Sequence, residues 1–204
     1  DMSSPDAPEI VDDLPEQMQV RREKRARLLD SGREAYPIAV ERTHTIAEVR
    51  EKYDDAGLEP DTQTGERVAI VGRVIFLRNT GKLCFVRLRE GAGAEIQAML
   101  SLAEVGEESL ADFKHLADLG DLLAVQGEVI TSRRGELSVQ VTDWQIAAKT
   151  LRPLPNEHRP LSDEARIRLR YVDMMIREEP RNLVRAKATV LRTLRNTLDD
   201  QGFI

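Results

Sequence analysis

The feature that most limits what this chain can become is an order of strand and helix signals between Glu66 and Ala148. The run starts with ERVAIVGRVIFLRN, turns at TGK, continues as LCFVRLRE, turns at GAGA and resumes as EIQAML. A helical segment, EESLADFKHLADLG, comes next, followed by DLLAVQGEVIT, a turn at SRRG and ELSVQVTDWQI. The order is three strands, one helix, two strands. Period-two alternation is clearest in the second and third strands. Cys84, Val86 and Leu88 alternate with Leu83, Phe85, Arg87 and Arg89, and Ile96, Ala98 and Leu100 alternate with Glu95, Gln97 and Met99. One face of the sheet is apolar. The other carries Phe85, Arg87, Arg89, Glu95 and Gln97.

A helix set between strands three and four of a five-stranded antiparallel meander is the pattern of an OB-fold barrel, whose strand 2–3 face commonly holds single-stranded nucleic acid. The competing expectation is a small barrel in which a neighbouring loop merely covers Phe85. The net charge of −6 and pI near 5.3 exclude a polyanion binder that works by bulk attraction, so nucleic-acid contacts must come from local basic patches. The single cysteine, Cys84, falls on the inward register and reads as a buried structural thiol. No run approaches the roughly 18 apolar residues of a membrane helix, and no apolar signal segment opens the chain. The expected location is cytoplasmic, and the initial Asp1 in place of Met reads as a trimmed terminus.

Residues 1–14 are acidic and polar, with Pro5 and Pro8, and read as a disordered tail. A helix is predicted from near Asp13, with Pro15 in its first turn, to Ser31, stopped by Gly32. Its middle, RREKRAR, sets Arg21, Arg22, Lys24, Arg25 and Arg27 against Glu23. Such a run is either a solvated face or an arm that contacts phosphates and releases their counterions. Thr45 and Glu48 form a capping box for a second helix with Ile46, Val49 and Tyr53 as its apolar stripe, expected to pack on the barrel. Ser101 and Glu104 give another capping signal, and Leu110, Phe113, Leu116 and Leu119 are expected to plug one end of the barrel. Trp144 is expected to pack. His44, His115 and His158 show no metal-ligand spacing.

The barrel is expected to end in KTLRPLPNEHRPL, a stiff linker. SDEARIRLRYVDMMI then reads as a helix with Ile167, Tyr171, Met174 and Met175 as its apolar positions. A longer helix is predicted from near Pro180, with the stripe Val184, Leu191, Leu194 and Leu198 and Gly202 as its stop. No catalytic constellation is visible. The GAGA of residues 91–94 joins two strands and does not open a helix, so it fails the context of a phosphate loop.

GRVIFLRNTGKLCFVRLRE, IQAMLS, DLGDLLAVQGEV, SRRGELSV, AAKTLRPLP and ARIRLRYVDMMI resemble the N-terminal part of the bacterial class II lysyl-tRNA synthetases, over roughly Pro15 to Ile204. GELS followed by LRPLP and RYVD is the specific series; the related aspartyl and asparaginyl enzymes share the barrel without it. The resemblance implies an α+β chain: N-terminal helices, a five-stranded OB-fold anticodon-binding barrel, then helices that begin a truncated class II catalytic domain. It implies that Phe85 stacks on the central anticodon uridine, Arg78 supports that nucleotide, Gln97 reads the base edge and Glu136 contacts another anticodon base. Arg21, Arg22, Lys24 and Arg25 would be the basic arm.

The helix from Pro180 resembles motif 1, which in that family builds a homodimer interface. The motifs that bind ATP and lysine are missing, so ATP and Mg are expected only for a full-length parent and this stretch is expected not to activate lysine. The expected divisions are a tail over 1–14, a helical extension over 15–65, the barrel over 66–148, a linker over 149–161 and the catalytic start over 162–204. The leading function is the tRNA-binding portion of a lysine–tRNA ligase. The alternatives are the synthetase-like half of a lysyl-phosphatidylglycerol synthase and a generic single-strand-binding OB module.

Overall fold

A computed structural model describes residues 15–54, 57–155 and 161–204. The tail expected over 1–14 and the part of the linker over 156–160, with His158, lie outside the described residues.

Five strands carry the architecture: β1 (Gln63–Asn79), β2 (Leu83–Arg89), β3 (Glu95–Ser101), β4 (Leu122–Thr131) and β5 (Leu137–Ala148). They close into a barrel in the order β1-β2-β3-β5-β4. This corrects the expected meander. β4 leaves β3 and pairs antiparallel with β1, while β5 closes the barrel by running parallel to β3. Parallel pairing needs a crossover, and the helical segment with β4 supplies it. β1 is long enough to serve two neighbours: Gln63–Arg73 pairs with β4 and Arg73–Asn79 with β2. Where β4 and β5 cross, Gly127 is required, because a Cβ there would meet the Gln140 carbonyl oxygen at 2.0 Å.

The barrel interior is the apolar register read from the sequence. Cys84, Val86, Leu88, Ile96, Ala98 and Leu100 are all fully buried, joined by Ile70, Val74, Leu123, Val139 and Val141. Each Val, Leu or Ile side chain among them contributes about 1.5–3 kcal/mol through removal from water. Burial also pushes the Cys84 thiol up, away from its reactive form.

Four of the helices pack on this barrel. α1 (Glu16–Asp30) starts with Pro15 as its N-cap. α2 (Ile46–Tyr53) has the full capping box, and Glu90 at the end of β2 accepts the N–H groups of Ile46 and Ala47, which ties α2 to the barrel. The plug is two helices, not one. Ser101 caps the short α3 (Leu102–Val105), and Gly106, at φ 80°, breaks the chain before α4 (Glu107–Leu116). Leu110, Phe113 and Leu116 of α4 are buried, but α4 ends before Leu119, which is half exposed in the connection to β4. Trp144 packs edge-on to Phe113, with ring centroids 5.1 Å apart, and donates its indole N–H to Ser109.

β5 ends at Ala148, and the first residues after it are tied back to the barrel. Lys149 is buried and donates to the Leu116 carbonyl, Asp118 and Asp121, so it belongs to the barrel's closing network. Asp121 also accepts the Thr150 N–H.

The last third forms α5 (Asp163–Arg168), α6 (Arg170–Ile176) and α7 (Glu178–Asp200). The single helix expected over SDEARIRLRYVDMMI is broken at Leu169, whose ψ of 47° leaves the helical region. Asp173, fully buried, is held by Arg170 and Arg177. Gly202, at φ 83°, ends α7 as expected, with the Phe203 N–H reaching back to the Leu198 carbonyl. The α7 stripe of Val184, Leu191, Leu194 and Leu198 is exposed. Among the described residues, no helix is long and apolar enough to cross a membrane.

Candidate nucleic-acid interface

Strand pairing sets out the open face of the barrel row by row. Arg78 of β1 faces Phe85 of β2, Phe85 faces Met99 of β3, and Met99 faces Gln140 of β5. The adjacent row runs Phe76, Arg87, Gln97 and Ser138. These rows floor a groove of about 740 Å³ whose lining includes Arg78, Phe85, Gln97 and Glu136. The four barrel residues singled out by resemblance thus share one groove. Phe85 is partly exposed while its neighbours Cys84 and Val86 are fully buried, so its ring is not part of the core.

The polar groups are held in place. Gln97 donates from Nε2 to the Ser138 hydroxyl at 2.9 Å, and that hydroxyl donates to the Glu136 carbonyl. So anchored, the Gln97 amide keeps an acceptor oxygen and a second N–H for a base edge. Glu136 sits at the mouth of the β4–β5 turn. There the Ser132 N–H bonds the Glu136 carbonyl, and the Glu136 N–H bonds the Ser132 hydroxyl. Its carboxylate lies 3.5 Å from Arg87, a long and half-exposed pair. Arg133 and Arg134, exposed on that turn, also line the groove. The acidic chain therefore gathers Arg78, Arg133 and Arg134 around an aromatic floor.

The basic arm is arranged differently. Arg21 is buried and donates to the Thr150 and Leu119 carbonyls, which corrects its expected role as a phosphate contact. Lys24 is paired with Asp118 at 2.6 Å. Arg25 lies over the Tyr36 ring, 5.8 Å from its centre. Arg22 is exposed but has a partner of its own. The physical reason is that α1 packs on the α4 end of the barrel, where the Asp118–Asp121 segment and free carbonyls demand donors. Burial alone would raise the Asp118 carboxyl, but hydrogen bonds from Lys149 and Lys24 hold it below the usual range. Burial pushes Asp121 up, against the pull of Lys149 and two backbone N–H groups.

Sequence reasoning missed Phe76. Val74 is fully buried, and strict alternation would carry Phe76 inward with it. A bulge between Val74 and Phe76 makes Ile75 the extra residue and turns Phe76 outward. Leu77 then packs against the core, and Arg78 falls in the groove. No local signal in GRVIFLRN marks that bulge. Among the described residues no group of three or more His, Cys, Asp or Glu side chains is set to hold a metal.

The profile of the tRNA anti-codon family, described as an OB-fold nucleic acid binding domain, matches residues 68–147. The chain is 55% identical to a lysine–tRNA ligase of Mycolicibacterium gilvum, covering all of this chain and 40% of that protein. It is 52% identical to a lysine–tRNA ligase of Mycobacterium tuberculosis over 97% of this chain and 39% of that protein. A lysylphosphatidylglycerol biosynthesis bifunctional protein, LysX, of Mycobacterium ulcerans is 41% identical over 94% of this chain and 16% of its own length. The chain thus spans about two fifths of the lysine–tRNA ligases it matches. Residues 68–147 thus match the tRNA anti-codon family of OB-fold nucleic acid binding domains and form a closed five-stranded barrel, in a chain similar end to end to part of the lysine–tRNA ligases.

Proposed function

We propose that this chain is the tRNA-recognising part of a cytoplasmic lysine–tRNA ligase, and that its groove holds the anticodon of lysine tRNA. The observation that carries the reading is the meeting of Arg78, Phe85, Gln97 and Glu136 in one open groove of a barrel domain. Single-stranded RNA is recognised by stacking on aromatics and hydrogen bonds to base edges, and this groove offers both. Phe85 is the platform under the central uridine, Arg78 its support, Gln97 the reader of its edge and Glu136 a contact to a second base. Within the basic arm, Arg22 and Arg25 are the proposed contacts to the tRNA backbone, Arg22 from an exposed position, whereas Arg21 and Lys24 bond within the fold.

Aminoacylation with ATP and Mg belongs to the whole protein. The exposed stripe of α7 is the surface proposed to join two copies in that whole protein. The end-to-end match to lysine–tRNA ligases, at higher identity than to the bifunctional lipid protein, favours the former. Titration with an RNA hairpin bearing a UUU loop, and with one in which the central uridine is replaced, tests the reading. Tighter binding of the UUU hairpin is expected, with the preference reduced by Gln97→Ala. Equal binding of both by the unaltered chain would reduce it to a generic single-strand module.

A further inference from the structure

Phe76 is half exposed and lies on the floor of the groove, in the row next to that of Phe85. Among the described residues it is the one large apolar side chain of the five strands that stands exposed. The barrel did not need it there, because regular alternation would have buried it beside Val74. The bulge at Ile75 instead leaves Ile75 lining a separate cleft, with Val20 and Leu154, and presents Phe76 to the groove. A bulge that re-aims a side chain beside a binding surface is a recurring device of β-sheets.

Phe76 faces Arg87 and Phe85 faces Arg78, so the two rings are diagonal neighbours on adjacent strands. Such neighbours lie about 7–8 Å apart, within reach of one another for aromatic side chains. Two aromatics on adjacent strands of an open sheet can each carry one of two successive unpaired bases. Across the groove, Arg133 and Arg134 extend from the β4–β5 turn, which is pinned by the Ser132 and Glu136 backbone. The face therefore pairs an aromatic floor with a cationic rim, the combination that binds single strands.

We propose that Phe76 is a second stacking platform, carrying the base next to the one on Phe85, with Arg133 and Arg134 on the phosphates between them. This rests on the anticodon reading above and adds a residue that the lysyl-tRNA synthetase resemblance did not point to. The test uses the whole chain and the UUU hairpin, intact or made abasic at one anticodon position at a time. Phe76→Ala should weaken the intact hairpin roughly five- to a hundredfold, and Phe76→Tyr should bind within about twofold of the unaltered chain. In Phe76→Ala, removing one particular base should cost nothing further, and that base should differ from the one to which Phe85→Ala becomes indifferent. Both variants should keep the melting temperature of the unaltered chain.

Undiminished binding by Phe76→Ala, alongside a loss in Phe85→Ala, would overturn this inference and leave the anticodon reading standing. So would indifference of both variants to the same base. If the unaltered chain binds the hairpin no better than an unrelated duplex, the anticodon reading itself falls, and this inference with it.

Discussion

The cationic side chains of α1 and those of the barrel groove are put to opposite uses. On α1, Arg21 is buried against two carbonyls, Lys24 is paired with Asp118, and Arg25 covers Tyr36. In the groove, Arg78, Arg133 and Arg134 stand exposed around Phe76 and Phe85. The α1 run is the denser in sequence and the less available in space. A buried carboxylate or an open carbonyl collects the donors nearest to it, because leaving either unpaired costs more than an exposed cation gains from water. A basic run therefore marks a nucleic-acid surface only where the fold offers those side chains no internal acceptor. The groove meets that condition at the end of a turn, and Arg21 and Lys24 of α1 do not.

The largest expected effect breaks the comparison at its structural side. Lys149→Met removes the cation shared by Asp118 and Asp121. Breaking a buried pair from one side costs about 3–5 kcal/mol. For a chain of this size that lowers the melting temperature on the order of 10 °C. Calorimetry reads it directly, and a loss under a degree would mean that the network is not what holds α1 and β5 together.

The groove should respond in the opposite way. Phe85→Ala is expected to leave the melting temperature in place, because Cys84, Val86 and Leu88 still fill the core. Hairpin binding should fall by about 1–3 kcal/mol, roughly five- to a hundredfold. Lost melting with unchanged affinity would make Phe85 a core residue after all.

Acid sharpens the same division. The folded-state value of Asp118 lies below its unfolded one, so its contribution to stability is present above the ordinary carboxylate range and is lost as pH falls through the lowered value. Asp173, held low by hydrogen bonds from Arg177, acts in the same direction. Melting temperature should drop as pH falls below the ordinary carboxylate value of about 4, and less steeply in Lys24→Met, which removes one of the donors that keep Asp118 low. Equal slopes in the two proteins would count against the Lys24–Asp118 link.

The smallest effect compares the two sets of arginines by salt. Arg133→Gln with Arg134→Gln should flatten the dependence of log affinity on log salt by about 1.4, as for two single-strand phosphate contacts. Arg22→Gln with Arg25→Gln should change that slope less. A reversal would put more of the backbone contacts on α1 than on the turn.

Much of the barrel is written in local pattern. The alternation of Cys84-Val86-Leu88 and Ile96-Ala98-Leu100 alone assigns which side chains face the core, and all six are fully buried. The capping box of Thr45 and Glu48 and the stop at Gly202 depend on residues within one helical turn, and both form as expected. Phe85 and Gln97 were legible as open-face residues for the same reason, since a strand's period of two needs no knowledge of its neighbours. Resemblance added Arg78 and Glu136, which periodicity does not assign to the face.

What only the tertiary structure decided are relations between distant segments. The parallel β3–β5 pairing depends on where the chain returns after α4, and nothing within either strand encodes it. Lys149 reads as the start of a linker until Asp118 and Asp121 are brought against it. α1's basic residues read as an arm until the acceptors they meet are known. The bulge at Ile75 is the sharpest case: one extra residue between β1 and β2 moves Phe76 and Arg78 from the inward to the outward register. A bulge is a mismatch between two strands, so it has no existence in either sequence alone until their pairing is fixed.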